Sequence, residues 1–333
     1  MILVTGATGH IGNVLIRELL ASGESVRAMV LPKDDLTPIK DLDIEVAIGD
    51  VLNKESIRRA MRGVYIIFHL AGMISILPGD AAQLQRVNVD GTRNMLEMAK
   101  EMHVRRFVYT SSIHALSRIP HGTTVDESIR FDPTGCMGDY DKSKALASLE
   151  VIKAAGDGLD AVIVCPTGVI GPHDYKASEM GTLISNTLFS RMVFSVNGAY
   201  DFVDVRDVAK GLILDSRQGR TGEAYILSGE WINLQDMLKT VKEIAGEKFT
   251  GIKLPVWLAK AVSRFTPFFY RMTKTKPQFT PYSIETIQSN AVVSHRKATI
   301  ELGYAPRTLY DSLTDTVLWL LEYRKLAAKT IRK

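Results

Sequence analysis

The sequence has few cysteines and no strong excess of charge. Only Cys136 and Cys165 occur among its 333 residues, too few for the disulfide framework of a small secreted protein. Lys and Arg number 41 against 37 Asp and Glu, and a net charge of +4 does not indicate nucleic-acid binding. These features favour a reducing, cytoplasmic compartment and a partner other than nucleic acid.

Long hydrophobic runs are also missing. No stretch holds the roughly 18 uninterrupted apolar residues that a membrane-spanning helix requires, and the best candidate, 257–270, is broken by Lys260, Arg264 and Pro267. Because a predicted strand begins at Ile2, no signal peptide is expected before it. No spacing of His and Cys residues predicts a metal site.

A glycine-rich turn near the N-terminus is the strongest positive signal. The apolar run 2–4 leads directly into Thr5-Gly6-Ala7-Thr8-Gly9-His10-Ile11-Gly12. Glycines after a buried strand let the backbone turn sharply and approach a ligand. Helical spacing of apolar residues follows, then a second apolar strand at 26–31. In this context the turn predicts a dinucleotide site at a helix N-terminus; a tight turn that binds nothing is the alternative.

Apolar strands and helical patterns alternate through the first half of the chain. Further strands are predicted at 44–48, 64–70, 107–109 and 161–165, and helices at 54–61, 81–102 and 140–155. Such alternation is typical of βαβ units with right-handed crossovers. We therefore predict an α/β protein with a doubly wound parallel Rossmann sheet.

The pattern changes after Pro166, where elements become shorter and aromatic residues and prolines more frequent. We predict a dinucleotide-binding domain at 1–170 with a return segment near 197–228. A smaller, mainly helical substrate-binding region would cover 171–196 and 229–325, followed by a basic tail at 326–333. The aromatic segment 257–276 has three readings: core packing, a lid over an apolar substrate, or a helix in peripheral contact with a membrane.

Tyr140 and Lys144 are spaced four residues apart on a predicted helix, so their side chains share a face. A nearby cation favours phenolate and lowers the pKa of a phenol, which suits acid–base catalysis. Upstream, Thr110-Ser111-Ser112 ends an apolar strand, and ligands bind at the carboxyl ends of strands in open α/β sheets. The alternative is that these hydroxyls only satisfy backbone groups.

Together these motifs resemble the extended short-chain dehydrogenase/reductase superfamily, also described as the NAD-dependent epimerase/dehydratase superfamily. The matching motifs, in chain order, are the glycine turn, Asp50-Val51, His69-Leu70-Ala71-Gly72, Asn88-Val89-Asp90-Gly91-Thr92, Thr110-Ser111-Ser112, Tyr140-x-x-x-Lys144 and Pro166-Thr167-Gly168-Val169-Ile170-Gly171-Pro172. The resemblance implies that Ser112 hydrogen-bonds the substrate oxygen and that Tyr140 transfers the proton. Lys144 would hold the nicotinamide ribose and tune Tyr140.

The resemblance also implies a set of cofactor-binding residues. Asp50 would bond the adenine amino group, while Asn88 is a weaker transfer because it may only cap or kink a helix. The full set, besides Tyr140 and Lys144, is Gly6, Thr8, Gly9, His10, Ile11, Gly12, Asp50, Val51, Leu70, Ala71, Gly72, Thr110, Pro166, Gly168 and Val169.

The choice between NAD and NADP depends on charge near the second strand. NAD-specific sites usually place an acidic residue about 20 positions after the glycines, and here that position is Leu31. Arg27 and Lys33 offer positive charge to a 2′-phosphate, so we predict NADP, with NAD possible. The alternative for Arg27 is that it points into solvent.

Two departures argue against a nucleotide-sugar substrate. Thr167 and Gly168 stand where nucleotide-sugar epimerases have an asparagine, and Ile113 and His114 stand where sugar dehydratases have an Asp-Glu pair. The sequence is more similar to dihydroflavonol reductase-like and 3β-hydroxysteroid dehydrogenase-like members. We predict an NAD(P)-dependent oxidoreductase that interconverts a secondary alcohol and a ketone on a small, largely apolar molecule.

Two other functions remain open: a sugar epimerase or dehydratase that retains NAD, and a non-catalytic NADP-sensing binding protein. The apolar faces of helices 81–102 and 140–155 predict a homodimer, as in the related enzymes. Burial of these faces under the C-terminal region is the alternative. His114 and His173 could reach the substrate, although isolated histidines are more often structural.

Overall fold

The computed structural model describes residues 1–75, 79–120, 122–263, 280–289 and 292–331, with residues 326–331 as backbone only. Its strands are β1 (Ile2–Thr5), β2 (Val26–Val30), β3 (Glu45–Ile48), β4 (Ile66–His69), β5 (Arg106–Thr110), β6 (Ala161–Pro166), β7 (Gly168–Ile170), β8 (Val193–Val196), β9 (Ala199–Asp204), β10 (Ala224–Leu227), β11 (Glu230–Asn233) and β12 (Gly251–Leu254). Its helices are α1 (His10–Ala21), α2 (Lys54–Ala60), α3 (Ala81–Leu84), α4 (Gly91–Glu101), α5 (Asp139–Gly156), α6 (Glu179–Phe189), α7 (Val205–Gln218), α8 (Leu234–Ile244), α9 (Val256–Ser263), α10 (Pro281–Ile287), α11 (Arg296–Leu302) and α12 (Leu309–Ile331).

A parallel sheet of seven strands forms the centre of the described structure, in the spatial order β10-β6-β5-β4-β1-β2-β3. Each neighbouring pair is parallel. One apolar cluster includes α1 and α7 on one face, and a second includes α2, α4 and α5 on the other. Strands covered on both faces are buried along their whole length and mainly apolar, as β1 and β6 are. The predicted doubly wound sheet is confirmed.

The segment predicted as one helix at 81–102 is divided in the structure. A π-helical segment, Gln85–Asp90, separates α3 from α4. Within it, the Asn88 side chain bonds both backbone groups of Met73. The predicted helix is confirmed over 81–101, but the π-helical turn within it was not predicted, since helical periodicity does not distinguish a wider turn from an α-helical one.

Smaller sheets lie in the C-terminal part of the chain. β7 pairs with β9 in parallel and β9 with β11 in antiparallel orientation, while β8 pairs with β12. Of the predicted return segment, β10 joins the central sheet beside β6, whereas β9 belongs to the smaller sheet. The proposed division into domains stays a prediction.

The backbone of α12 is helical to Ile331, so most of the predicted basic tail continues this helix. The prediction for 257–276 falls largely outside the described residues, although Trp257 on α9 is 71% exposed. In the described ranges, no helix combines the length and apolar character needed to cross a membrane.

Candidate active site

The glycine turn joins β1 to α1 in a conformation that requires glycine. Gly6 has a φ of +68°, in the left-handed region. A Cβ atom on Gly6 would lie 2.7 Å from the carbonyl of Leu70, and one on Gly12 would lie 2.2 Å from the carbonyl oxygen of Gly6. Gly9 is the N-cap of α1 and provides no side-chain hydrogen bond. The backbone therefore forms a bare cradle at a helix N-terminus, which fits a dinucleotide pyrophosphate.

A buried hydrogen-bond chain holds the end of β4 against this turn. The amide of Ala71 donates to Thr5 Oγ1 at 3.1 Å, and Thr5 Oγ1 lies 2.8 Å from His69 Nδ1. On the other side of the ring, His69 Nε2 lies 3.0 Å from Thr92 Oγ1, which donates to the carbonyl oxygen of Asn88. Burial lowers the pKa of His69 to about 3. His69 is thus a neutral structural bridge that positions the loop after β4.

Gly72, Asn88 and Lys144 meet beside this loop. A Cβ on Gly72 would lie 3.2 Å from Asn88 Oδ1 and 3.5 Å from Lys144 Nζ. Asn88 also donates to Ser143 Oγ on α5 at 2.9 Å. The loop after β4 is therefore in contact with the helix that carries Tyr140 and Lys144.

The Lys144 ammonium is buried at the end of β5. It donates to the carbonyl oxygen of Thr110 at 2.7 Å and lies 5.0 Å from the centre of the Tyr109 ring. Burial lowers its pKa to about 8. Among the described residues, the buried Thr110 Oγ1 has no hydrogen-bond partner. An unpaired buried hydroxyl next to an ammonium fits a site that a polar ligand completes.

Tyr140 lies in the first turn of α5 and interacts with the Ser112 hydroxyl. Burial raises the pKa of Tyr140, and the hydrogen bond with Ser112 acts in the opposite direction. Ser112 Oγ also accepts from the amide of His114 at 3.2 Å. The expected net lowering of the Tyr140 pKa is therefore wrong for this structure, because the cost of burying a charged phenolate is the largest effect.

Several other predicted cofactor residues already have protein partners. The Asp50 carboxylate accepts from the amide of Leu52 at 2.9 Å, and His10 Nε2 lies 3.0 Å from the carbonyl oxygen of Pro172. Gly168 packs against the rings of Tyr200 and Phe202, since a Cβ there would lie 2.9 Å from each. Their predicted roles toward the cofactor stay predictions, as do those of Ile11, Val51, Pro166 and Val169.

Arg27 lies away from the glycine turn, near the amino ends of β2 and β3. Its guanidinium donates to the carbonyl oxygens of Ala60 and Arg62, each at 2.7 Å, and pairs with Glu45 at 2.9 Å. The prediction that Arg27 offers charge to a 2′-phosphate is therefore wrong. Its guanidinium is paired at the amino ends of the strands, whereas the glycine turn lies at their carboxyl ends. Lys33 lies in an exposed turn after β2.

A polar cluster lies beside Tyr140; His114 was named from the sequence, whereas Asp141, Tyr200 and Tyr282 were missed. The Tyr200 hydroxyl lies 2.8 Å from His114 Nε2, and the Tyr282 hydroxyl donates to Asp141 Oδ1 at 2.6 Å. Burial lowers the pKa of His114 and raises that of Asp141. Asp141 lies inside the Tyr140 to Lys144 motif and could have been noticed. Tyr200 and Tyr282 come from β9 and α10, which only the fold brings here.

A cavity of about 290 Å³ opens beside this cluster. His114, Asp141 and Tyr200 contribute to its wall next to Tyr140. Its apolar lining consists of Ile113, Leu116, Ile119, Val125, Met137 and Val293. Its remaining side chains are polar: Ser117, Arg118, Cys136, Glu285, Gln288 and Ser289. A cavity that combines apolar walls with polar groups fits a small-molecule site.

Comparison with known proteins identifies the family. The profile of the 3-beta hydroxysteroid dehydrogenase/isomerase family matches residues 3–229. The chain belongs to this family. It is 36% identical over 325 residues to sterol demethylase protein B of Methylococcus capsulatus, covering 96% of this chain and 98% of that protein. A Synechocystis sp. protein provisionally named dihydroflavonol 4-reductase is 34% identical, with 95% and 93% coverage.

Solved structures agree with this assignment. The crystal structure of gox2253 has a TM-score of 0.85 and 34% identity, covering 97% of this chain and 98% of that one. The UDP-glucose 4-epimerase of Thermus thermophilus, solved in complex with NAD, has a TM-score of 0.77, 21% identity and coverage of 96% and 98%. The second likeness shows the fold alone. The predicted resemblance to extended short-chain dehydrogenases is confirmed.

Proposed function

We propose that this protein interconverts a secondary alcohol and a ketone on a small, largely apolar molecule, with a nicotinamide dinucleotide as hydride carrier. The observation that carries the proposal is the position of Tyr140 and Ser112. Tyr140 lies on the helix that holds Lys144, Ser112 follows β5 and hydrogen-bonds Tyr140, and their neighbours Ile113 and Asp141 line the cavity. The glycine turn after β1 lies on the same, carboxyl-terminal edge of the sheet.

Three side chains would act at the substrate oxygen, through a hydrogen bond, a proton transfer and a positive charge. Ser112 donates a hydrogen bond to it, which orients the carbonyl in the cleft. Tyr140 donates its phenolic proton to the oxygen during reduction and accepts it during oxidation, and the raised pKa keeps this proton on the phenol at neutral pH. Lys144, four residues further along the same helix, would supply the positive charge that stabilises the phenolate remaining after reduction.

The residues that would hold the dinucleotide are already arranged. The glycine turn and the first turn of α1 would bind the pyrophosphate, and Lys144 with the Thr110 hydroxyl would bond the nicotinamide ribose. When bound, the nicotinamide gives a hydride to the substrate carbon or takes one from it.

Substitution of Tyr140 by Phe tests the proposal. Wild-type protein with NAD or NADP is incubated with a panel of hydroxysteroids and their ketones, which the family description makes the first class to test. Tyr140→Phe should lower turnover by about 10²- to 10⁴-fold, the usual contribution of acid–base catalysis, and this loss should exceed any loss of dinucleotide affinity. Tyr65→Phe, at a 37% exposed tyrosine bonded to Glu24, is the matched control.

Retained turnover in Tyr140→Phe would contradict the role of the phenol. Tightly held NAD with no net consumption would instead identify an epimerase or dehydratase. Binding of a dinucleotide without any turnover would favour the sensing function.

We also propose that a second copy of the chain packs against α5. Leu149 and Ile152 on this helix are 39% and 38% exposed, and removal of such apolar surface from water favours association. Light scattering should give a dimer, and Ile152→Glu should give a monomer. A wild-type monomer at micromolar concentration would contradict this proposal.

A further inference from the structure

The side chain of His114 lies beside the proposed reaction centre and has no part in the mechanism above. His114 follows Ser112 in the short 3₁₀ turn Ile113–Ala115, and its amide donates to Ser112 Oγ at 3.2 Å. This bond ties the turn to the hydroxyl that would bind the substrate oxygen. The His114 side chain also contributes to the wall of the cavity next to Tyr140. A group bonded by this ring would therefore lie near the reacting carbon.

Two tyrosines hold the imidazole ring of His114 in place. Tyr200 from β9 stacks on it, with ring centres 5.8 Å apart and planes 16° apart, and Tyr282 from α10 meets it in an edge contact at 6.1 Å. The Tyr282 hydroxyl donates to Asp141 Oδ1 at 2.6 Å, and its ring packs against Gly138, where a Cβ would lie 3.2 Å away. The imidazole therefore has a fixed orientation relative to the cavity.

The hydrogen bond with Tyr200 determines which ring nitrogen of His114 carries the proton. Burial lowers the pKa of His114, so the imidazole is neutral at neutral pH and carries a single N–H. Burial raises the pKa of Tyr200, whose hydroxyl keeps its proton and lies 2.8 Å from Nε2. No other described residue bonds this hydroxyl, so its proton serves the bond to Nε2. The ring proton is then on Nδ1.

The Nδ1–H group of His114 has no hydrogen-bond partner among the described residues. A substrate that fills the cavity without offering an acceptor would leave this donor unpaired, which costs free energy. Asp141 and Glu285 contribute acidic groups to the cavity wall, and Arg118 in the same wall is already paired with Glu285 at 3.1 Å. These charges disfavour an anionic substrate group, so an uncharged acceptor oxygen fits the donor best.

We propose that His114 donates its Nδ1 proton to a second, uncharged oxygen of the substrate, with Tyr200 as its positioning residue. The substrate is then a ketone, or the corresponding alcohol, that has a carbonyl or ether oxygen close to the reacting carbon. This inference rests on the proposed function, since it names a feature of the substrate of the same site. Ser112 and Tyr140 would bond the reacting oxygen and His114 the second one, which together orient the substrate in the cleft.

A pair of isosteric ketones tests the inference. The α-methoxy and α-ethyl derivatives of a ketone differ only by an ether oxygen in place of a methylene group. Both are made from cyclohexanone and from the ketosteroid that wild type reduces fastest, and their reduction is followed with NADH or NADPH. Wild type should favour the methoxy ketone in kcat/KM by about three- to tenfold, the usual contribution of a hydrogen bond between uncharged groups.

Two amide substitutions of His114 separate the roles of its ring nitrogens. His114→Gln places an amide near the position of Nε2 and removes the donor at Nδ1, so the preference for the methoxy ketone should disappear. His114→Asn places its amide nitrogen near the position of Nδ1 and should retain the preference. Tyr200→Phe should reduce the preference, because the proton of His114 is then free to occupy either nitrogen. Dinucleotide binding in calorimetry shows that each variant is folded.

His103→Gln is the matched control. His103 is an exposed histidine after α4, so its variant should keep the wild-type preference. An unchanged preference in His114→Gln would overturn the inference, and so would a wild type that does not favour the methoxy ketone. Wild type that binds a dinucleotide but reduces none of these ketones would instead overturn the proposed function.

Discussion

Asp215, far from the proposed site, allows a quantitative test of the buried electrostatics. It lies on α7, is fully buried, and neither oxygen of its carboxylate has a hydrogen-bond partner among the described residues. The nearest guanidinium, that of Arg106, pairs with Asp160 and bonds only the backbone carbonyl of Asp215. Burial raises the pKa of Asp215 from 3.8 to about 8; Asp160 adds to this rise, while Arg106 and Lys297 oppose it.

The sign of the pH dependence follows from proton binding. In the unfolded chain this carboxyl loses its proton near pH 4, whereas the folded protein retains it to about pH 8. The folded state therefore binds one more proton between these values, and its free energy of unfolding decreases as pH rises through this range. For a rise from 3.8 to about 8, at about 1.4 kcal/mol per pKa unit, the loss has an upper limit on the order of 6 kcal/mol.

Asp215→Asn replaces the carboxyl by a neutral amide of similar shape. The excess of the variant's free energy of unfolding over that of wild type should grow from pH 5 to about pH 8, because in this range only the unfolded wild-type carboxyl is ionised. Urea unfolding followed by circular dichroism between pH 5 and pH 9 measures the difference. Asp157→Asn, at an exposed carboxylate after α5, controls for net charge. Parallel curves for wild type and Asp215→Asn would refute the reasoning.

Two further predictions concern the site itself. Because the Lys144 pKa is lowered to about 8, its ammonium is lost as pH rises through that value, so the rate of ketone reduction should fall about tenfold per pH unit above it. Lys142→Gln, at an exposed lysine on the same helix, should keep this profile, and a flat profile to pH 10 would exclude the role. Gly12→Ala should abolish dinucleotide binding in calorimetry because its Cβ would lie 2.2 Å from the Gly6 carbonyl oxygen. Gly156→Ala, with no atom within 4 Å of its Cβ, should bind normally, and normal binding by Gly12→Ala would contradict the cradle.

The central sheet was predictable because its signals are local. Strands buried on both faces are continuous apolar runs, and helices between them repeat their apolar residues every three to four positions. The glycine turn and the shared face of Tyr140 and Lys144 are also properties of short segments. The π-helical turn within the predicted 81–102 helix was not predictable. Asn88 in this turn hydrogen-bonds Met73 and Ser143, which lie outside its own helix.

The positions of charged side chains near the expected cofactor site could not be predicted from the sequence. Arg27 was expected at the adenosine ribose because it lies in the second strand. It lies at the amino end of that strand, away from the glycine turn. Asp34 follows Leu31 by three positions, beyond Pro32. The bond that ties it to the site comes from Lys176, 142 residues away in the chain.

The sequence by itself determined the doubly wound sheet, the glycine turn and the spacing of the catalytic pair, because each depends on residues within about 20 positions of one another. The tertiary structure decided the protonation and pairing of charged groups. Burial shifts the pKa of Tyr140, Lys144 and Asp215, and folding brings Lys176 to Asp34. Desolvation and long-range pairing depend on which segments pack together, and no local pattern contains that information.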